Sequence, residues 1–223
     1  MKAIDITIMI NDRMTMFPDP RYHQPKLEFI NTPETDPRMG RYSSQLTIHA
    51  HCGTHLDTPK HMNYSPEKTI DNIPMDVLVG EAIVIKLDHC NPGPVTADIL
   101  KEKMPKGVET KGKRLLVFSG YNDTPFWGKT TYFENAPYFT GDAAQWILDS
   151  GFVLLGSDVM SDNIKAPQPI VHQILLSKDV YLLEYVCNAA AVTEDRVLLV
   201  VAPTKTEGAE SATTRAYVIE GVL

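Results

Sequence analysis

The amino-acid sequence predicts an α/β fold that is rich in strands, poor in helices, and built on a mixed rather than purely parallel sheet. Three observations lead there. Short runs of β-branched and apolar residues recur along the 223 residues. Only a few segments carry helical patterning with start and stop signals, and these do not alternate with the strands as regular βαβ units would. Prolines punctuate the whole chain, while no linker, repeat or change of composition divides it, so residues 1–223 are read as one domain.

Strands are expected at 3–9, 46–52, 82–87, 114–119, 152–156, 180–186, 197–201 and 215–222. The clearest helix covers 141–150, with Thr140 as N-cap, Asp142 in the first turn and Gly151 as a left-handed stop. A second follows Thr96 over 97–104. A third begins at Pro169 and runs through His172 to about 177, with Ile170, Ile174 and Leu175 on its apolar side. Segments 11–42 and 122–137, rich in Pro, Asn, Thr and aromatic residues, are expected to be long loops that cover or line a site.

A formal charge of −7, with no basic run beyond the mixed stretch 111–114, argues against nucleic acid and anionic membrane surfaces as partners and favours a small, weakly charged substrate. No apolar stretch reaches the roughly 18 to 20 residues of a membrane span, and the first residues lack the pattern of a signal peptide. The expected address is the cytoplasm. Cys52, Cys90 and Cys187 stand at unrelated spacings, which suits a reducing compartment.

The most informative feature is the crowding of His49, His51, His55 and His61, four of seven histidines, into thirteen residues that also hold Asp57. Core packing gives no reason for such density. Imidazole nitrogens and carboxylates are ligands for divalent ions such as zinc and manganese. On a strand over 46–52, His49 and His51 would share one face. Gly53 and Thr54 would then turn the chain so that His55 and Asp57 swing back toward His51. His49 lies off the ligand spacing and is read as a strand-face or supporting residue. Cys52 alternates away from His51 and reads as a small buried hydrophobe. His23 and His89 carry no companion motif. Two further candidates are weak alone: His172 in the third helix, and Glu184, a carboxylate interrupting an apolar strand.

The segment His51-x-Gly53-Thr54-His55-x-Asp57-x-Pro59-x-His61 resembles the signature of the cyclase-like metal-dependent hydrolase family, to which bacterial kynurenine formamidases and isatin hydrolases belong. Further landmarks agree in order: 4–7, 156–158, His172, Glu184 followed by Asn188, and the tail from Pro203 to Arg215. The resemblance implies a swivelling β/β/α domain assembled as a homodimer or homotetramer. It makes His51, His55 and Asp57 ligands of one metal, with Asp57 bridging to a second held by His172 and Glu184. Two Zn2+ ions per chain are expected, with Mn2+ as the alternative. His61 would move protons rather than ligate firmly, and Glu184 would share that duty.

The reaction so implied is hydrolysis of the carbon–nitrogen bond of a small amide by metal-bound hydroxide. N-formylkynurenine, and with it tryptophan catabolism, is the leading case. A cyclic amide such as isatin, or another small amide or ester, is the alternative, and a metal-binding module without catalysis the second alternative. Phe17, Phe126, Trp127, Tyr132, Phe133 and Tyr138 are candidates for an aryl wall or for plain loop anchoring, and Asp158 for orienting a ligand histidine or capping a turn. Thr58 and Lys60 depart from the residues formamidases commonly carry there.

Overall fold

A computed structural model describes residues 1–87, 93–125 and 127–223. His89, Cys90 and Phe126 lie outside the described residues. In chain order the elements are β1 (Lys2–Asp5), β2 (Lys26–Asn31), β3 (Ser43–Thr47), β4 (His55–Asp57), α1 (Met75–Leu78), β5 (Val79–Lys86), β6 (Pro94–Val95), α2 (Ala97–Lys103), β7 (Arg114–Phe118), α3 (Tyr132–Asn135), β8 (Tyr138–Phe139), α4 (Gly141–Asp149), β9 (Leu154–Ser157), α5 (Ile170–Leu176), β10 (Tyr181–Glu184), β11 (Arg196–Pro203) and β12 (Ser211–Glu220).

The strands β5, β7, β9 and β10 are parallel neighbours, as their intervening helices require. Antiparallel β11 and β12 extend the sheet from β5. The three-residue β4 pairs with β10 on one side and with β12 on the other, closing the sheet into a ring. The expected strand-rich α/β fold with a mixed sheet is therefore found, and the closing strand carries the signature residues His55 and Asp57.

Period-two patterning explains the two apolar cores. On β7, Leu115 and Val117 join Ile83, Leu155 and Leu182 against Leu100, Ile147 and Val171 of the helices. Leu116 and Phe118 face the other way, with Val84, Leu154, Leu183 and Val218 on the enclosed face. Leu116 is fully buried, which contributes about 1.5 to 3 kcal/mol for a side chain of its size. Gly156 on β9 has no room for a side chain, since a Cβ there would lie 2.4 Å from Leu116 Cδ2.

Several expectations change. The strand expected at 46–52 divides: β3 ends at Thr47, the chain turns through His49 and His51, and extended structure resumes only at His55. The turn is pinned at its end. Gly53 adopts φ 61, and a Cβ there would meet Met14 Cε at 2.9 Å. The Thr54 hydroxyl donates to Tyr185 O at 2.6 Å and accepts from Ile8 N at 2.9 Å.

Segment 11–42, expected to be a loop, contains β2, which pairs with β3 as a hairpin arm. Leu27, Phe29, Ile30 and Leu46 on this arm are exposed, so no buried alternation marked it in the sequence. Segment 122–137 likewise holds the short α3. Thr140 stands at the N-cap of α4, but its hydroxyl donates to Val95 O at 3.1 Å rather than capping the helix. Thr96 does cap α2, accepting from Ile99 N at 3.4 Å, and Gly151 takes φ 77 after α4.

Candidate active site

On β4, His55 and Asp57 share one face while Leu56 points into the enclosed core. Register then sets the next group: Glu184 of β10 stands directly opposite His55. A 3-10 turn over Pro59–Met62, started by Pro59, brings His61 back over the strand. The helix α5 supplies His172, and the turn before Gly53 supplies His51.

The other five of these residues converge on Asp57, which is 1% exposed. His51 Nδ1 lies 2.9 Å from Asp57 Oδ1, His55 Nε2 3.6 Å from the same oxygen, and His172 Nε2 3.6 Å from Oδ2. Glu184 Oε2 is 3.8 Å from His55 Nε2, and its Oε1 is 3.9 Å from His172 Nε2. The His61 ring centre is 4.3 Å from that of His51 and 5.5 Å from that of His172.

Among the described residues, neither carboxylate oxygen of Asp57 receives an aligned hydrogen bond, despite the short distance to His51. A buried carboxylate so placed is costly unless a cation meets it. The donor set fits a divalent ion. Two groups of ligand atoms lie within 4.8 Å of one another, His51 with Asp57 and His61, and His55 with Asp57 and Glu184, and Asp57 belongs to both.

The far side of each of four groups is held. His55 Nδ1 bonds Gly53 O at 2.8 Å, His172 Nδ1 bonds Asp162 Oδ2 at 2.5 Å, and His51 Nε2 lies 3.3 Å from Glu210 Oε1. Glu184 Oε1 accepts from Ser161 N at 2.7 Å and from its hydroxyl at 2.6 Å. Such outer bonds fix ring orientation and leave the inner nitrogens for an ion.

Electrostatics match this layout. Burial opposes charge on His51, but Asp57 and Glu210 outweigh it and raise its pKa to about 10. Burial is likewise outweighed at His172 by Asp162, Asp57 and Glu184, again to about 10. At His61 burial prevails, helped by the charges of His51 and His172, and pushes the pKa down to about 4 despite Asp57. With no ion in place, protons on His51 and His172 balance the carboxylates, so cation and protons compete for the same site.

The sequence candidates His51, His55, Asp57, His61, His172 and Glu184 thus line one cavity of about 280 Å³. His49 stays outside it, stacked 3.9 Å from the Tyr22 ring, with Nδ1 accepting from His51 N at 3.2 Å. Cys52 is buried, its sulfur 3.3 Å from that of Met14. Among the described residues Asp158 orients no histidine. It anchors the turn after β7, accepting from Ser119 N and Oγ at 2.9 Å and from Gly120 N at 2.6 Å. Of the described aromatic candidates only Phe17 lines the cavity. Tyr132 is fully buried, donating to Asn122 Oδ1 at 2.6 Å, with Trp127 and Phe133 edge-on against it. Tyr138 stands apart on β8.

Sequence reasoning missed Asp162, Ser161, Glu210, Tyr22 and Tyr185. One signal was available for Asp162: Pro169 has no side chain able to cap α5, and Asp162 takes that role from a distance, accepting from Val171 N and His172 N at 2.8 and 3.0 Å.

Fold and site together are those of metal-dependent hydrolases. The sequence profile of the Cyclase family, described as "Putative cyclase", matches residues 4–162, and the chain belongs to that family. The kynurenine formamidase of Geobacillus thermodenitrificans is 30% identical over 63% of this chain and 62% of that protein. The kynurenine formamidase of Bacillus thuringiensis is 26% identical over 96% of both. Among solved structures, an isatin hydrolase bound to the product analogue thioisatinate superposes with a TM-score of 0.85 at 20% identity, covering 97% of this chain and 91% of that one. A potential metal-dependent hydrolase with cyclase activity gives a TM-score of 0.77 at 25% identity, covering 97% and 96%.

Proposed function

We propose that this chain is a metal-dependent amidohydrolase that cleaves the carbon–nitrogen bond of a small aryl amide, with an aryl formamide of the N-formylkynurenine kind as the leading substrate. The observation that carries the reading is Asp57, a buried carboxylate whose oxygens accept no aligned hydrogen bond yet lie 2.9 to 3.6 Å from ring nitrogens of His51, His55 and His172. In this reading His51, His55 and Asp57 hold one ion, and Asp57, His172 and Glu184 hold a second. Two Zn2+ ions are the first expectation and Mn2+ the alternative. When bound, such an ion supplies Lewis acidity, acidifying water and polarising a carbonyl oxygen.

The chain's own residues do the rest. His61, half-buried and held neutral near pH 7, takes a proton from the attacking water and returns it to the leaving nitrogen, a contribution typically worth about 10² to 10⁴ in rate. Glu184, fixed through Ser161, shares the proton traffic from the opposite side. Phe17 and Tyr22 line the cavity and give it an aromatic side. Ser161, Asp162, Glu210 and the carbonyl of Gly53 hold the inner ring in place, so little reorganisation accompanies reaction.

A cyclic amide such as isatin is the second reading, favoured by the apolar wall of the cavity. Residues 1–223 act as one domain, supported by β4 tying β10 to β12. A homodimer or homotetramer is proposed, supported by the exposed apolar arm of β2 and β3. Location in the cytoplasm belongs to the same reading; among the described residues no helix is long and apolar enough to cross a membrane. The deciding experiment follows formate release from N-formylkynurenine and ring opening of isatin by protein of measured zinc and manganese content. Turnover that is unaffected by removing the metal would refute the reading.

A further inference from the structure

We infer that Tyr185 is a specificity-determining residue of this site, whose hydroxyl donates a hydrogen bond to a ketone carried on the substrate's ring beside the amide nitrogen. The inference rests on the amidohydrolase reading and deepens its substrate class. N-formylkynurenine and isatin differ in charge and in ring closure. Each nevertheless bears a ketone on the ring carbon next to the one that carries nitrogen.

The backbone singles Tyr185 out first. It sits in the left-handed region at φ 58, a conformation that a bulky residue rarely adopts and that glycine would take without penalty. The chain is held there from both sides. Tyr185 O accepts from the Thr54 hydroxyl at 2.6 Å, Val186 N donates to Ser157 O at 3.0 Å, and Val186 O accepts from Asn122 Nδ2 at 3.1 Å. A large ring kept at such a position points to a task for the side chain.

The side chain is gripped but not satisfied. Its ring centre lies 5.6 Å from that of His55, 5.8 Å from that of Trp127 and 6.3 Å from that of Tyr132, so its orientation is fixed by other rings. Tyr185 is only 7% exposed, and it lines the cavity beside Glu184. Among the described residues its hydroxyl meets no hydrogen-bond partner, and it is not one of the polar atoms sealed away from the cavity. A buried phenol normally finds a partner, and here a molecule entering the cavity can supply one. Tyr22, the other phenol at the cavity, is half-buried with its ring stacked on His49, so water can serve it.

In the amidohydrolase reading the amide itself is turned toward Asp57 and its imidazoles, with His61 at the leaving nitrogen. Tyr185 adjoins that cluster through Glu184 and His55, which brings a substituent on the neighbouring ring carbon within reach of its hydroxyl. A phenol is a neutral donor at neutral pH. Selection by it is therefore independent of the charge that ions, protonated His51 and His172 or an amino-acid head bring to the cavity. A ring without the ketone leaves the hydroxyl unpaired and is disfavoured for that reason.

The test compares 2-formamidoacetophenone with 4-formamidoacetophenone. Their acetyl groups draw electrons from the amide alike, but only the first sets a ketone beside the nitrogen. Wild type and Tyr185→Phe are assayed at equal measured Zn2+ or Mn2+ content. Wild type is expected to favour the first compound in kcat/KM, and Tyr185→Phe to lower that ratio about five- to tenfold, the worth of one neutral hydrogen bond. Calorimetric binding of 2-aminoacetophenone against 4-aminoacetophenone should show the same shift without turnover. Phenylalanine keeps the ring and its packing, so a merely structural role leaves the ratio unmoved. Tyr185→Gly, which relaxes the backbone, replaces that variant if it does not fold. A ratio that survives loss of the hydroxyl, or a wild type that favours the second compound, overturns the ketone contact and leaves the hydrolase reading standing. Hydrolysis of neither compound, nor of isatin, by fully loaded protein overturns both.

Discussion

Replacing Asp162 by alanine separates the support of the site from the site itself. This carboxylate is buried and accepts three bonds: from Val171 N at 2.8 Å, from His172 N at 3.0 Å and from His172 Nδ1 at 2.5 Å. The first two satisfy the opening turn of α5, and losing such a cap costs about 0.5 to 2 kcal/mol. The third is a charge-assisted bond whose loss leaves a buried imidazole nitrogen to Ser161 Oγ at 3.3 Å, adding about 1.5 to 3 kcal/mol. Overlap between the two losses gives about 2 to 4 kcal/mol in urea denaturation of metal-free protein. With His172 free to rotate, metal affinity should fall about 10- to 100-fold in a chelator-competition titration. Asp162→Asn keeps an acceptor for the helix but sets an amide against His172, so it should recover more stability than affinity. An alanine variant within about 0.5 kcal/mol of wild type that binds metal with unchanged affinity would refute this account of α5 and His172.

Four further outcomes are expected. Stripping wild type with a chelator removes about 2.7 kcal/mol if the ion was present at a hundred times its Kd, a fall of roughly 5 to 10 °C in Tm, whereas Asp57→Ala should bind no metal and show no chelator response by calorimetry. His61→Ala should keep metal by elemental analysis and lose about 10² to 10⁴ in kcat; unchanged turnover removes His61 from proton transfer. Phe29→Asp with Leu27→Asp on the exposed arm should reduce the assembly to monomers in analytical ultracentrifugation, and an unaltered sedimentation profile would exclude the arm as the interface. Burial raises the Asp158 carboxyl from 3.8 to about 6, so between these values the folded chain holds a proton that the unfolded chain has released. The resulting stability is complete below about pH 3.8 and lost as pH rises through 6, about 3 kcal/mol in all, and the difference in unfolding free energy between wild type and Asp158→Asn should shrink over that interval rather than stay flat.

Much of the fold could be read from local chemistry because its elements are two-sided. The strands β5, β7, β9, β10 and β11 announce themselves as apolar runs because both faces are covered. The helices α2, α4 and α5 carry the periodicity of a buried stripe. What the sequence hid is what burial does not mark. The arm of β2 and β3 packs on no core, so its residues alternate without consequence. The turn at 48–54 reads as strand because Leu46, Ile48, Ala50 and Cys52 alternate, yet Cys52 is buried by Met14 and not by a sheet partner. Short β4 is specified from outside, by Glu184 opposite His55 and Ser211 opposite Asp57.

The same division governs the site. Its inner groups were legible because density of imidazole and carboxylate has no packing explanation, whereas the groups that hold them are ordinary residues made special only by position. Apart from the helix start at Pro169, which lacks a capping side chain of its own, nothing in the sequence distinguishes Asp162 from Asp158, four residues earlier; one caps a helix and grips His172, the other caps the turn after β7. Chemistry concentrated in one segment is visible in one dimension, but its support arrives from elsewhere in the chain, as Glu210 reaches His51 across the closed sheet and Ser161 reaches Glu184 from 23 residues away. Closing the sheet with β4 is therefore the step that makes a site, since it sets the carboxylate of β10 against the histidine of β4 and leaves Asp57 facing both. A change that strains the sheet beside β10 without touching a ligand, such as Gly156→Ala on β9, whose Cβ would lie 2.4 Å from Leu116 Cδ2 of β7 and 3.5 Å from Leu183 Cδ2 of β10, should lower metal affinity together with stability. Equal affinity at reduced stability would show instead that the six groups are held by their own loops and not by the barrel.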